Sequence, residues 1–142
     1  MMDLKLIDTN ILIYAINLNS KFNKSSRVYL SENVTFSVIA DQNINEALRL
    51  LTHEKYENKL SLNKALRALK NIQDRCISIH PNSQTSEIFI KILSKYNVSS
   101  NRLYDAYLVA TMYANGIKTI VTANEKDFIQ FPELKVINPF KS

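Results

Sequence analysis

The chain has 142 residues, 46% of them hydrophobic and 22% charged, a balance typical of a folding domain and far from that of a disordered segment. Its single cysteine, Cys76, excludes an internal disulfide framework, and its single glycine, Gly116, excludes every glycine-rich phosphate loop and dinucleotide fingerprint. A formal net charge of +5 favours a polyanionic partner, because basic side chains beside phosphates release condensed counterions, although a solvated basic surface gives the same count.

Taken in order, Leu4 to Ile7 form an apolar run that ends at Asp8, and residues 11–16 continue with helical rather than alternating spacing, so a strand feeds a helix. A second helix is expected over 24–31. The β-rich run 34–38 predicts the next strand, and Ile44, Ala47, Leu48 and Leu51 mark one apolar face of a helix over about 40–53. Ser61 is a plausible N-cap for a helix whose apolar positions run from Leu62 to Ile72. Residues 76–79 predict a strand closed by Pro81, and 83–96 a helix burying Ile88, Phe89, Ile92 and Leu93. A further helix is expected from about Leu103 to Asn115, stopped by Gly116 as a left-handed C-terminal cap. The strand 118–122, a short turn or helix over 124–128, and a last strand over 135–138 before Pro139 complete the chain.

Strands alternating with helices predict an α/β fold, a central and mostly parallel sheet covered by helices on both faces, since parallel strands need crossover connections. No linker-like segment or internal repeat interrupts the pattern, so a single domain over 1–142 is expected. The N-terminus lacks the long apolar core of a signal peptide and no stretch is long enough to span a bilayer. The expectation is a cytoplasmic protein with no membrane association.

In open parallel sheets the ligand site lies beyond the carboxyl ends of the strands. Asp8 stands at one such end, where it also serves as a helix N-cap candidate, and Asn124 follows another. Asp105 heads the otherwise apolar stripe Leu108, Val109 and Met112, so its charge needs a partner; a metal ion is one way to supply it, and complementing the helix dipole is the equally weighted alternative. Glu46 shares a flank with Gln42, Asn43 and Arg49, and a solvated face explains it equally well. Together the acids suit phosphodiester hydrolysis: an activated water attacks in line while oxygen-ligated Mg²⁺ or Mn²⁺ offsets the developing charge, and no histidine or cysteine ligand is required. His53 and His80 are too isolated in sequence to suggest a catalytic pair.

The ordered set Leu6-Ile7-Asp8-Thr9-Asn10-Ile11-Leu12, Asn45-Glu46-Ala47, Arg102-Leu103-Tyr104-Asp105-Ala106, Val121-Thr122-Ala123-Asn124-Glu125-Lys126-Asp127-Phe128 and Val136-Ile137-Asn138-Pro139 resembles the PIN-domain family. Within that family it resembles the VapC-type toxins of toxin–antitoxin pairs. The resemblance covers the chain end to end. It implies a three-layer α/β/α sandwich, Mg²⁺- or Mn²⁺-dependent endoribonuclease activity on an RNA substrate, inhibition by a small antitoxin and a homodimer. By motif match, Asp8, Glu46 and Asp105 take the places of the family's catalytic, metal-binding acids, while Thr9, Asn10 and Thr122 take places that orient the acids or a bound water.

The chain departs from the pattern at a fourth acidic position, where Asn124 stands in place of an aspartate. Either Asp127, three residues on, approaches the same cleft and restores the charge, or Asn124 serves as a neutral, water-mediated ligand. Lys21, Lys24, Arg27, Arg49 and Arg102 are candidates for an RNA-contacting rim. The exposed faces of the helical segment 40–75 are expected to carry a partner surface.

Two other readings stay open. A receiver-like phosphate-handling domain would also place acids at the carboxyl edge of a parallel sheet, but the run 76–79 ends in His80-Pro81, not in a phosphoacceptor. A binding module that keeps the fold without activity is the other. Asn124 speaks for it and the three intact acids against it.

Overall fold

A computed structural model describes residues 3–141. Five strands, β1 (Lys5–Ile7), β2 (Ser37–Ala40), β3 (Ile77–Ile79), β4 (Thr119–Val121) and β5 (Lys135–Ile137), form one sheet in the order β3-β2-β1-β4-β5. Every neighbouring pair is parallel. Six helices cover it: α1 (Thr9–Ile16), α2 (Asn23–Asn33), α3 (Asp41–Thr52), α4 (Leu62–Gln73), α5 (Thr85–Lys95) and α6 (Leu103–Ala114).

Side chains alternate across a strand, and this alternation divides the core into two. Leu6, Val38 and Ile120 pack on one face with α5, α6 and the C-terminal Phe128 and Phe131. Ile7, Ile39 and Val121 pack on the other with α1 to α4. The sandwich expected from the sequence is therefore present, and the inner strands β2 and β4 are buried along their whole length because both faces of the sheet are covered. Among the described residues no helix is long and apolar enough to cross a membrane.

Local signals behave as their chemistry requires. The Ser61 hydroxyl caps α4 by accepting from the Lys64 N–H at 3.2 Å. Gly116 adopts φ +75° after α6. There the Ile117 N–H donates to the Met112 carbonyl (2.8 Å) and the Gly116 N–H to that of Tyr113 (3.0 Å), closing the last turn as a Schellman motif does.

The second strand corrects the expectation. Val34–Phe36 is a 3-10 turn that prolongs α2, and the strand runs Ser37–Ala40, two to three residues later than the β-rich composition predicts. The Ser37 hydroxyl donates to the Asn33 carbonyl at 2.8 Å, and pairing with β1 begins only at Lys5↔Ser37. Tertiary pairing overrides propensity here, and it moves the strand's carboxyl end to Ala40, so that α3 starts at the sheet edge.

Candidate active site

Because all strands are parallel, their carboxyl ends share one edge, and the two central strands bring the first motif and the fourth together. Ile7 pairs with Val121, so Asp8 and Thr122 emerge side by side. The Asp8 N–H donates to the Val121 carbonyl (3.0 Å), and the Thr122 hydroxyl donates to Asp8 Oδ2 at 2.8 Å. Asp8 is also the N-cap of α1, its Oδ1 accepting from the Thr9 N–H at 2.9 Å. Asn10 Nδ2 reaches both Asp8 Oδ2 (3.4 Å) and Thr122 Oγ1 (3.2 Å), while Asn10 Oδ1 accepts from the Ala123 N–H (3.2 Å). The Asp8 side chain is thereby held by three donors from two segments, with only 8% of the residue exposed.

Glu46 arrives from α3. The Thr9 hydroxyl donates to its Oε2 at 3.0 Å. Asn43, one helical turn earlier, holds this link in place: its Nδ2 donates to Thr9 Oγ1 (3.2 Å) and its Oδ1 accepts from the Ala40 N–H (3.3 Å). Sequence spacing set Asn43 on a solvated flank, yet it is fully buried. The signal was its place three residues into the helix, the position from which a side chain reaches back to the N-cap backbone. Replacing Asn43 with Ala removes both of these buried hydrogen bonds and takes the side-chain partner from the Ala40 N–H, and a loss of about 1–3 kcal/mol in stability is expected by denaturant titration.

Asp105 enters from the first turn of α6, above the buried Leu108, Val109 and Met112. Its pKa is pushed up to about 6, first by burial and then by the neighbouring Asp127 and Asp8 charges, with Arg102 opposing them and Glu46 adding a smaller push. Asp8 is likewise pushed up to about 6, first by burial, against its bonds from Thr122 and Thr9, with Glu46 and Asp127 adding to the rise. Four carboxylates thus act on one another. The Asp127 charge acts on both Asp8 and Asp105, whereas Asn124 is exposed and contributes its N–H to Thr122 Oγ1 at 3.0 Å.

The basic candidates separate. Arg102 Nη1 pairs closely with Asp127 and lies 3.6 Å from Asp105 Oδ2, so it partly neutralises the cluster instead of forming a free rim. Arg49 lines a groove that also contains Glu46. Lys24 and Arg27 line a different groove, between α2 and α4, and exposed Lys21 lies over the Phe22 ring. Neither histidine is bonded to the acids: His80 lies against Asp41, and His53 Nδ1 accepts from the Lys55 N–H.

A family model described as the PIN domain matches residues 5–134. The chain belongs to the PIN-domain family. Solved structures similar to this PIN domain include DNA-bound VapBC from Salmonella typhimurium, at 16% identity and TM-score 0.74, covering 97% of this chain and 99% of that one. VapBC2 from Rickettsia felis, bound to a promoter DNA fragment, matches at 20% identity and TM-score 0.71 over 95% and 98% of the two chains. The sarcin–ricin-loop-cleaving toxin VapC20 of Mycobacterium tuberculosis matches at 16% identity and TM-score 0.59, over 81% and 85%. No curated protein matches the chain by sequence.

Among the described residues, no three His, Cys, Asp or Glu side chains already close around a point as a finished ligand cage. The acids nevertheless form an oxygen-only set of like charges, burdened by burial and by one another, with Arg102 as the single cation paired to them. Such a set fits a hard divalent cation that keeps several of its waters and takes only one or two carboxylates directly.

Proposed function

We propose that this PIN domain is a Mg²⁺- or Mn²⁺-dependent endoribonuclease of the VapC toxin type. The observation that carries the reading is the gathering of Asp8, Glu46, Asp105 and Asp127 from four segments at the carboxyl edge of the central strands. Asp8 and Asp105, with Glu46, would hold the ion. When bound, it supplies Lewis-acid charge to the phosphoryl oxygens and lowers the pKa of a bound water.

This chain's own residues do the positioning. Thr122 and Asn10 fix the Asp8 carboxylate, so that little reorganisation is needed as charge develops. Thr9 anchors Glu46 by donating to its Oε2, which would leave Oε1 to face the ion. Arg102 balances Asp127 and Asp105, lowering the cost of assembling the acids.

The nucleophile in this scheme is water, not the RNA's own 2′-hydroxyl, because no histidine pair stands at the acids to work that group. An RNA carrying a 2′-O-methyl group at the cut position is therefore expected to be cleaved, with no 2′,3′-cyclic phosphate among the products. Complete protection by the methyl group, with cyclic ends on unmodified RNA, would overturn the assignment of the nucleophile.

A small antitoxin is the proposed partner. The groove between α2 and α4, about 840 Å³, has a floor that includes Ala15, Ile16 and Ile72 and a rim of Lys24, Arg27 and Arg75. An amphipathic segment with acidic flanks complements it. The adjoining outer face of α4 exposes Leu62 and Leu66, in the segment expected to carry a partner surface.

A further inference from the structure

A second groove opens beside the acids, between α3 and α6, with a volume of about 730 Å³, within the range of about 300–1,000 Å³ common for ligand pockets. We infer that it is a nucleobase subsite: one unstacked base next to the scissile phosphate stacks on Tyr104, and Arg49 takes the neighbouring phosphate. The inference rests on the ribonuclease reading and names how that same site selects its strand.

The groove is built from two helical stripes. On α3, Gln42, Asn45, Glu46 and Arg49 fall at i, i+3, i+4 and i+7, and on α6 Tyr104 and Tyr107 fall one turn apart, so the two rows face each other. Gln42 Nε2 donates to the Tyr104 carbonyl at 2.9 Å and ties the walls together. Tyr107 is held edge-on against Phe89, with centroids 5.2 Å apart, and forms a fixed wall. Tyr104 is different. It is 82% exposed, it makes no aromatic contact among the described residues, and it immediately precedes Asp105.

Charge fixes the orientation of the strand. Glu46 stands in the groove and also bonds to Thr9 in the acid cluster, so the groove is continuous with the reacting centre. Its carboxylate, with Asp41 nearby, repels a phosphate but not an uncharged base. Arg49 is the one cation lining the groove and has no ion-pair partner among the described residues. It lies three residues from Glu46, about 4.5 Å along the helix axis, within reach of the adjacent phosphate. A flat aromatic platform beside a cation is the arrangement by which proteins hold single-stranded nucleic acid, and side-chain amides such as Gln42 and Asn45 can bond a base edge.

The test uses the whole chain and an RNA that it cuts, with an abasic residue walked through the positions flanking the cut. Tyr104→Ala is expected to raise KM by about 5–150-fold, the range for loss of one base–aromatic stack, with little change in kcat. Tyr104→Phe should behave like the parent. At one position the abasic RNA should impose the same penalty on the parent and none further on Tyr104→Ala. An unchanged KM for Tyr104→Ala, or a penalty that persists on every abasic RNA, would overturn the subsite. Should the parent cut no RNA, the ribonuclease reading fails by itself, and anisotropy of the same RNAs in EDTA still decides the subsite: weaker binding by Tyr104→Ala upholds it, equal binding overturns it.

Discussion

Purified Asp105→Asn is expected to fold, to melt higher than the parent in EDTA, and to lose RNA cleavage by more than about 100-fold, since loss of a direct ligand should exceed the roughly 10–100-fold typical of outer-shell partners. The sign of the stability change follows from the site. Asp105 is pushed up to about 6 chiefly by burial and then by Asp127 and Asp8, so the folded chain holds the ionised form at a cost that an amide of the same shape does not carry. Its side chain is about a quarter exposed, and solvent screening reduces the gain to about 1–2 kcal/mol. For a chain of this length that is a rise of roughly 2–8 °C in Tm. If Asp105 only complemented the helix dipole, the same substitution would lower stability by about 0.3–1 kcal/mol and leave cleavage intact. Activity and apo stability together separate the two accounts.

The second large effect is a pH dependence that changes sign with metal. Asp8 and Asp105 both titrate near 6 in the folded chain, against 3.8 for an unperturbed aspartate. Between about pH 4 and pH 6 the native state therefore binds more protons than the unfolded one, and stability in EDTA falls as pH rises through that window. For fully buried Asp8, a rise of about two pKa units corresponds to at most about 3 kcal/mol. Glu125 works in the opposite direction at lower pH, because its hydrogen bonds from Lys141 and Asn138 hold its pKa down. With excess Mn²⁺ the slope should reverse, since the ion binds only deprotonated acids of the folded state and adds stability as pH increases. Urea titrations at pH 5 and pH 7, each with EDTA and with Mn²⁺, measure all four corners. Parallel slopes in the two media would mean that the ion does not bind these acids.

Much of this was legible in the sequence because the relevant signals are local. Asp8 follows an apolar strand and opens a helix, Asp105 heads an apolar stripe, and Gly116 sits where a left-handed cap is needed. The parts that were not legible depend on contacts distant in sequence. Asn43 looks like any polar residue of an amphipathic helix until Thr9 packs against it. Arg102 reads as a free cation until the turn that carries Asp127 closes over it. Strand β2 starts late because Lys5 selects Ser37 as its partner, which no propensity scale encodes. At the fourth position the sequence left two alternatives open; the fold brings the Asp127 charge to bear on Asp8 and Asp105 and leaves Asn124 exposed, a placement that depends on the turn after β4.

The central claim is tested most directly by incubating the purified chain with labelled single-stranded RNA in Mn²⁺ and in EDTA, with Asp8→Asn in parallel and folding checked by circular dichroism. The account predicts discrete cuts by the parent in Mn²⁺, none in EDTA and none by Asp8→Asn. Cleavage that persists in EDTA or in a folded Asp8→Asn variant, or a folded parent that cuts no RNA with either Mg²⁺ or Mn²⁺, would contradict it.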